Sequence, residues 1–315
     1  MKRVEKRTIQ ILLIVINLFL APIAFAKADI PVLVLDAANH AKIPKQFRTT
    51  AQFNSIPSTV STKGLANLNA IGSSQFSQQE LETVLQTVKQ KPTIVDLRQE
   101  SHGLASGNAI SWYAKNDWAN LGKTPEQVES DQQARLNAIK SKNIIITEKV
   151  MAKGEDGNLE LQAKSIPVKQ VESEQELAKE HHLNYLRIYV TDGMSPDNEQ
   201  VDRFVQFERN LPANTWLYLH CRAGKGRTTS FMAMHDMMHN AKQVTFNDIL
   251  KRQQMLGGIN LEKFPSPNSY KYKLAKERVA FLKDFYQYCV ANKDNFKTTW
   301  SQWKASITNS KSTNK

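Results

Sequence analysis

The chain has 315 residues, a formal net charge of +12 and only two cysteines, Cys221 and Cys289. That length suits one domain of ordinary size, or one carrying a modest insertion, and two cysteines exclude a disulfide framework. The basic balance favours anionic partners, whether phosphorylated small molecules, acidic lipids or nucleic acid. Nucleic acid ranks last, because no helix-turn-helix, zinc or aromatic-basic signature accompanies the charge.

At the start of the chain, Lys2, Arg3, Lys6 and Arg7 precede an apolar run from Ile9 to Leu20, and Ala24-Phe25-Ala26 supplies a small–x–small cleavage pattern. This predicts a secretory signal peptide over residues 1–26; a retained membrane anchor is the alternative, against which Pro22 and the Ala-x-Ala site argue. Export from a bacterial cytoplasm follows, to the periplasm or the medium, with no stable membrane association after cleavage.

Residues 28–70 read as irregular, rich in Asn, Ser, Thr and Pro, with Ile43-Pro44-Lys45-Gln46-Phe47-Arg48-Thr49 as their distinctive piece. Ser77-Gln78-Gln79-Glu80 is a capping box, and Leu81, Val84, Leu85 and Val88 follow at helical spacing. Residues 93–98 read as a strand running into Gln99-Glu100-Ser101-His102-Gly103. The aromatics of Ser111-Trp112-Tyr113 and Asp117-Trp118 read as core. Thr124-Pro125-Glu126-Gln127 opens a helix to about Lys142. Residues 143–147, 159–161 and 166–171 lean to strand around the turn Gly154-Glu155-Asp156-Gly157. Ser173-Glu174-Gln175-Glu176 caps a short helix to His182, and adjacent His181 and His182 cannot face one metal from it. Residues 185–190 read as a buried strand, and Ser195-Pro196 as the start of a helix with Val201, Phe204 and Val205 inward. Residues 245–256 and 268–290 form two further helices. In the second, Cys289 reads as a small core residue. Gln253 or Gln254 is a candidate to hold a water, or part of a solvated face. Trp300 and Trp303 dock a last turn, and Ser306 onward reads as disordered. Without an H-E-x-x-H string or cysteine pairs, no metal site is predicted.

The stretch that carries chemistry is His220-Cys221-Arg222-Ala223-Gly224-Lys225-Gly226-Arg227-Thr228. An apolar strand precedes it at residues 215–219 and a helix pattern follows it to His239, so orphan N–H groups and a dipole end converge on one point. A thiolate is the nucleophile, and a helix start flanked by Arg and His favours that form of a cysteine. Gly224 and Gly226 permit turns that point successive N–H groups at an oxyanion. Arg227 can return over the loop as a planar fork. The Thr228 hydroxyl can donate to the sulfur when a phosphocysteine breaks down. The competing reading is a buried structural cysteine beside a basic helix start.

The loop resembles the HC-x5-R-(S/T) signature of the cysteine-dependent protein tyrosine phosphatase superfamily, and specifically its phytase-like branch. Asp96-Leu97-Arg98-Gln99-Glu100-Ser101-His102-Gly103 and the Pro44-to-Thr49 segment resemble the same branch, and the likeness spans roughly residues 43–288. It implies an α/β fold, a central sheet flanked by helices, with a small partial β-barrel inserted at 106–171. Residues 27–105 and 172–292 would then form the phosphatase domain and 293–315 a tail. It implies phosphoryl transfer from an inositol polyphosphate such as phytate, with Cys221, Arg227, Thr228 and His220 catalytic and no cofactor, the loop amides and Arg227 carrying the charge. Asp192, on a loop after a strand and 29 residues before Cys221, falls where the superfamily places its general acid; Asp197 is the rival. Substrate ligands would be the loop residues Arg222, Ala223, Gly224, Lys225 and Gly226, together with Arg48, Asp96, His102, Lys271 and Arg278. For Arg48 the alternative is a solvated loop arginine; for Asp96, an Asp–Arg pair closing a strand. Gly193 stands where the branch usually has His. A secreted phosphotyrosine or phosphoinositide phosphatase acting on host molecules, and a catalytically quiet phosphate-binding module, are the alternatives.

Overall fold

The structure is a computed structural model and describes residues 30–153 and 159–313. Residues 1–26, expected to be a signal peptide, and the stretch Gly154–Gly157, expected to be a turn, lie outside the described residues. In chain order the first half comprises β1 (Val32–Ala37), β2 (Arg48–Thr49), β3 (Ala70–Ser74), α1 (Gln78–Val88), β4 (Thr93–Asp96), β5 (His102–Ala105), β6 (Asn108–Tyr113) and α2 (Pro125–Lys140). There follow β7 (Ile144–Lys153), β8 (Leu159–Pro167), β9 (Val171–Glu172), α3 (Glu174–Glu180), β10 (Tyr185–Arg187) and α4 (Asn198–Arg209). The last part holds β11 (Leu217–Cys221), α5 (Gly226–Asn240), α6 (Phe246–Met255), α7 (Lys271–Ala291) and α8 (Trp300–Thr313). No helix among the described residues is long and apolar enough to cross a membrane.

Two sheets organise these elements. The first has the order β10-β4-β11-β3-β2, with β11 parallel to both of its neighbours. Its side chains alternate between two cores, as period-two geometry requires. Leu217, Leu219, Val95 and Ala70 face a large core closed by α4 to α8, where Phe204, Phe231, Leu282, Phe285 and Trp300 are buried. Tyr218, Ile94 and Ile71 face the opposite side and pack with Leu81 and Val84 of α1 and Leu177 of α3. This is the expected sheet flanked by helices.

The second sheet runs β8-β7-β1-β6-β5-β9, with β8 and β9 at its edges. Leu136 and Ile139 of α2 share a core with Ile110, Trp112, Ile145 and Ile166 of its strands. It therefore takes β1 and β5 from outside the β-leaning stretch of residues 106–171. Strand β1 corrects the reading of residues 28–70 as irregular; it pairs antiparallel with β6, Val34 opposite Ser111. Long-range pairing of this kind leaves no local signature.

The capping boxes at Ser77, Thr124 and Ser173 each form both reciprocal bonds. Three boundaries differ from expectation. Strand β10 ends at Arg187 rather than Val190. Helix α4 starts after Asp197, whose carboxylate accepts from the Gln200 N–H at 2.9 Å, so Ser195 and Pro196 lie ahead of it. The segment from Ser306 is helical to Thr313, as a continuation of α8, whose Trp300 is buried among Phe281, Phe285 and Tyr288.

Candidate active site

Strand β11 delivers Cys221 at the carboxyl edge of the first sheet, and α5 starts at Gly226, so the turn between them holds its backbone amides at a helix N-terminus. Gly224 has φ +68°, and a Cβ there would lie 2.3 Å from the Ser74 nitrogen and 2.5 Å from the Ser73 carbonyl carbon. Only glycine lets the loop close against β3. The Cys221 thiol is 2% exposed and lies 3.2 Å from the Thr228 hydroxyl, which donates to it.

Arg227 is held from behind. Its two terminal nitrogens donate to the two oxygens of Glu100 at 2.7 and 2.8 Å, and one donates also to the Val190 carbonyl at 2.9 Å. Burial works against its charge, but Glu100 and Asp192 keep it firmly protonated. Its Nε is buried without a hydrogen-bond partner among the described residues, a donor left over for an anion in the loop. Glu100 is buried too, and although burial alone would raise its carboxyl, Arg227 and Arg98 hold it well below the usual range. Sequence reasoning singled out the string containing Glu100 but not this role, because the pairing joins residues 127 positions apart.

Asp192, the expected acid, reaches the same guanidinium, 3.2 Å from Arg227 Nη2 with its side chain one-third exposed. Its backbone carbonyl accepts from the Trp118 indole at 2.9 Å, and Trp118 meets Tyr270 edge-on. Trp118 is thus a wall of the acid loop, not core as its spacing suggested. The rival Asp197 is occupied in capping α4. Gly193 beside the acid has φ +81°, a conformation in which a branched or bulky residue is strained.

Other expected ligands divide into rim and foundation. Ala223 and Lys225 are exposed on the loop. A Cβ on Gly226 would meet Arg278 Nη1 at 3.1 Å, which sets Arg278 against the loop, with its Nε buried and unpartnered among the described residues. Lys271 sits beside Tyr270, its ammonium 5.6 Å from the ring centre. Arg222 turns away from the loop centre: it donates to Asp36 at 2.7 Å and lies over the Tyr113 ring. Burial would raise the Asp36 carboxyl, and the Arg98 and Arg222 guanidiniums outweigh that and hold it low. Asp36 lies in the stretch read as irregular, which is why sequence reasoning missed it.

Four expected site residues are buried and bonded to groups around and beneath the loop. Arg48 is 3% exposed and lies beneath the loop, donating to the Gly224 carbonyl at 3.0 Å and to Thr229 at 3.2 Å, so it is not a solvated arginine, and its Nε is buried without a hydrogen-bond partner among the described residues. Burial pushes its guanidinium down to about 10, against the pull of Cys221. Asp96 is fully buried and binds the Tyr185 hydroxyl at 2.8 Å, Arg187 at 3.1 Å and His102 at 3.2 Å, so substrate does not reach it. His102 is bonded through Nδ1 to the Glu100 carbonyl at 2.8 Å. His220 is bonded through Nε2 to Glu174 at 2.6 Å and packs on Phe76. These chains fix the strand ends under the loop. Gln253 is neither solvated nor at the site; it is buried and donates to Asp236 at 3.0 Å.

Asp117 is an addition that the sequence did not single out. It is buried with φ +69°, and burial followed by the Glu100 charge pushes its carboxyl up to about 7, with Asp192 adding repulsion. Glu100, Asp117 and Asp192 are therefore three carboxyls that feel one another around Arg227 and Arg222. Cys289 is buried in the large core, its thiol pushed up by desolvation, and both cysteines are free.

A strand, an anion-cradling loop and a helix, with cysteine leading and arginine closing, define a protein tyrosine phosphatase-like site. The protein tyrosine phosphatase-like phytase family model, described by inositol hexakisphosphate, matches residues 95–239. A solved protein tyrosine phosphatase-like phytase from Bdellovibrio bacteriovorus is 31% identical over 88% of this chain and 95% of its own, with a TM-score of 0.69. The chain belongs to the protein tyrosine phosphatase-like phytase family. Two solved structures from Mitsuokella multacida are also similar over 88% of this chain. One, a tandemly repeated phytase of this type, is 37% identical with a TM-score of 0.80 over 49% of its length. The other, a myo-inositol phosphatase in complex with myo-inositol-(1,3,4,5)-tetrakisphosphate, is 34% identical with a TM-score of 0.82 over 48% of its length. Effector protein hopD2 of Pseudomonas syringae pv. tomato is 30% identical over 88% of this chain and 60% of its own. The chain thus spans about half the length of the Mitsuokella proteins and 60% of the effector.

Proposed function

We propose that this chain is a cysteine-dependent phosphatase that hydrolyses phosphomonoesters of myo-inositol polyphosphates through a phosphocysteine. The observation that carries the reading is the convergence of the Cys221 thiol, the Thr228 hydroxyl, the Glu100-held Arg227 fork and the Asp192 carboxylate on one loop. In the first step the Cys221 thiolate attacks phosphorus in line, the ester P–O bond breaks, and Asp192 gives its proton to the departing oxygen. In the second step Asp192, now a carboxylate, takes a proton from water. The resulting hydroxide attacks phosphorus, the P–S bond breaks, and Thr228 stabilises the departing sulfur. Arg227 and the loop amides carry the charge that builds on the equatorial oxygens. Lys225, Lys271 and Arg278 give the rim the positive charge that a polyphosphorylated ring needs.

The likeness to an effector favours a second reading, in which the exported enzyme removes phosphate from host phosphotyrosine or phosphoinositides. Under either reading residues 1–26 are proposed as the export signal. Phosphate release from phytate is compared with release from a phosphotyrosine peptide, each also with Cys221→Ser. The expected result is preference for phytate and no turnover by the variant, which still binds substrate. Preference for the peptide moves the assignment to the host-directed reading. Turnover by Cys221→Ser sinks the mechanism, and activity on neither substrate leaves a phosphate-binding module.

A further inference from the structure

Helix α5 starts at the phosphate loop, and its far end carries a second cluster of chemistry-bearing side chains. His235 and His239, one turn apart on α5, meet Glu208 in the last turn of α4, and one donor atom from each lies within 4.8 Å of the other two. We propose that these three residues bind a divalent transition-metal cation, zinc by preference, about 14 Å along α5 from the loop.

Four features support the assignment. The two helices both end here, at Arg209 and Asn240, so two negative dipole ends converge on a place where a carboxylate is itself buried. That arrangement disfavours an anion and favours a cation. Second, the Nε2 of His235 lies 2.7 Å from the Leu68 carbonyl, which can only accept, so Nε2 carries a proton and Nδ1 is directed at Glu208. A ring nitrogen fixed by a backbone carbonyl while the other faces a carboxylate is the outer arrangement of a metal-binding histidine. Third, Glu208 Oε2 is buried with no hydrogen bond among the described residues, while the carboxylate's side chain is only 1% exposed. Fourth, His239 is half exposed, with Nε2 3.7 Å from Glu208 Oε2, so it can swing to complete the set and leave an entry path.

Donor separations of 2.8 and 3.7 Å need only small shifts to accept an ion bonded at roughly 2.0–2.2 Å to each atom. On binding, the proton held between His235 Nδ1 and Glu208 Oε1 leaves to solvent and the cation takes its place. Three protein ligands of N, N, O type suit zinc with a water in the fourth position. The ion would tie the ends of α4 and α5 together beneath the loop helix. No local two-histidine-and-glutamate string or cysteine pair marks this place in the sequence, because the carboxylate comes from another helix.

The test uses the purified full chain carrying Cys221→Ser, which removes the one reactive thiol. Zinc and cobalt(II) are titrated separately. The expected result is one equivalent bound, a rise in unfolding midpoint of about 5 °C at zinc a hundredfold above its dissociation constant, and a cobalt spectrum of tetrahedral nitrogen–oxygen type without a sulfur-to-cobalt band. His239→Ala, which spares the buried Glu208–His235 bond, is expected to keep the fold by circular dichroism and to weaken zinc binding by more than about a hundredfold. In the wild-type Cys221 background, His239→Ala is expected to leave phosphate release unchanged. The proposal is overturned if the Cys221→Ser chain binds no zinc at submillimolar concentration, or if His239→Ala binds cobalt as tightly as its parent does. Either outcome would make His235 and Glu208 a plain buried ion pair.

Discussion

Glu100→Gln is the substitution that most directly probes how the loop arginine is held. The change is isosteric but removes the negative charge that receives 2.7 and 2.8 Å bonds from Arg227 and a 2.8 Å bond from Arg98, all fully buried. Arg98 keeps Asp36 at 3.0 Å and Gln75 at 2.7 Å, so most of the loss falls on Arg227, which retains carbonyls and the partly exposed Asp192. Removing one partner of a buried pair costs about 3–5 kcal/mol. At roughly 2–4 °C per kcal/mol the unfolding midpoint drops by about 6–20 °C. Catalysis suffers separately, because displacing a charge-stabilising group by about 1 Å costs on the order of a hundredfold. The wild type's stability advantage has a defined pH sign. The Glu100 carboxyl is depressed in the fold, so its contribution is full above its unfolded value of about 4.3 and is lost as pH falls toward the folded one. The checks are calorimetry at pH 7 and pH 3.5 and kcat/KM on phytate. A variant within about 1 kcal/mol of wild type and within tenfold in kcat/KM would refute the idea that Glu100 anchors the catalytic arginine.

Asp192→Asn is expected to lower turnover of substrates with poor leaving groups by about 10²–10⁴-fold and to erase the fall in rate as pH rises; an unchanged profile would reassign the acid. Gly224→Ala places a methyl 2.3 Å from the Ser74 backbone at φ +68°, so a loss of at least about 2 kcal/mol and of inorganic phosphate inhibition is expected. Near-normal phosphate binding by that variant would show that the loop need not close on β3. Asp117→Asn tests the raised carboxyl. A group at about 7 in the fold against 3.8 unfolded binds its proton more tightly when native, so wild-type stability falls as pH rises from about 4 to 7. The Asn variant should therefore have the higher midpoint at pH 8, with the difference closing near pH 4; equal slopes would place Asp117 in a more polar setting than its burial implies.

Local chemistry was legible in the chain itself. Capping boxes at Ser77, Thr124 and Ser173 start their helices as written, because each is complete within four residues. The strand–loop–helix from Leu217 to Asn240 was likewise readable, since apolar alternation, Gly224 and the Cys221–Arg227 spacing are local facts. Tertiary structure decided everything that depends on which distant segments meet. Strand β1 reads as irregular because its partners β6 and β7 lie far along the chain. Arg48, Asp96, His102 and His220 have the right chemistry for a phosphate site, yet folding buries them and turns them onto the Gly224 carbonyl, the Tyr185 hydroxyl, the Glu100 carbonyl and Glu174, contacts that brace the loop and the strand ends and that no local pattern foretells. Glu100 and Asp36 acquire their roles only through arginines brought to them by folding. Residue type and spacing determine what chemistry is possible; three-dimensional proximity and desolvation determine which side chains perform it.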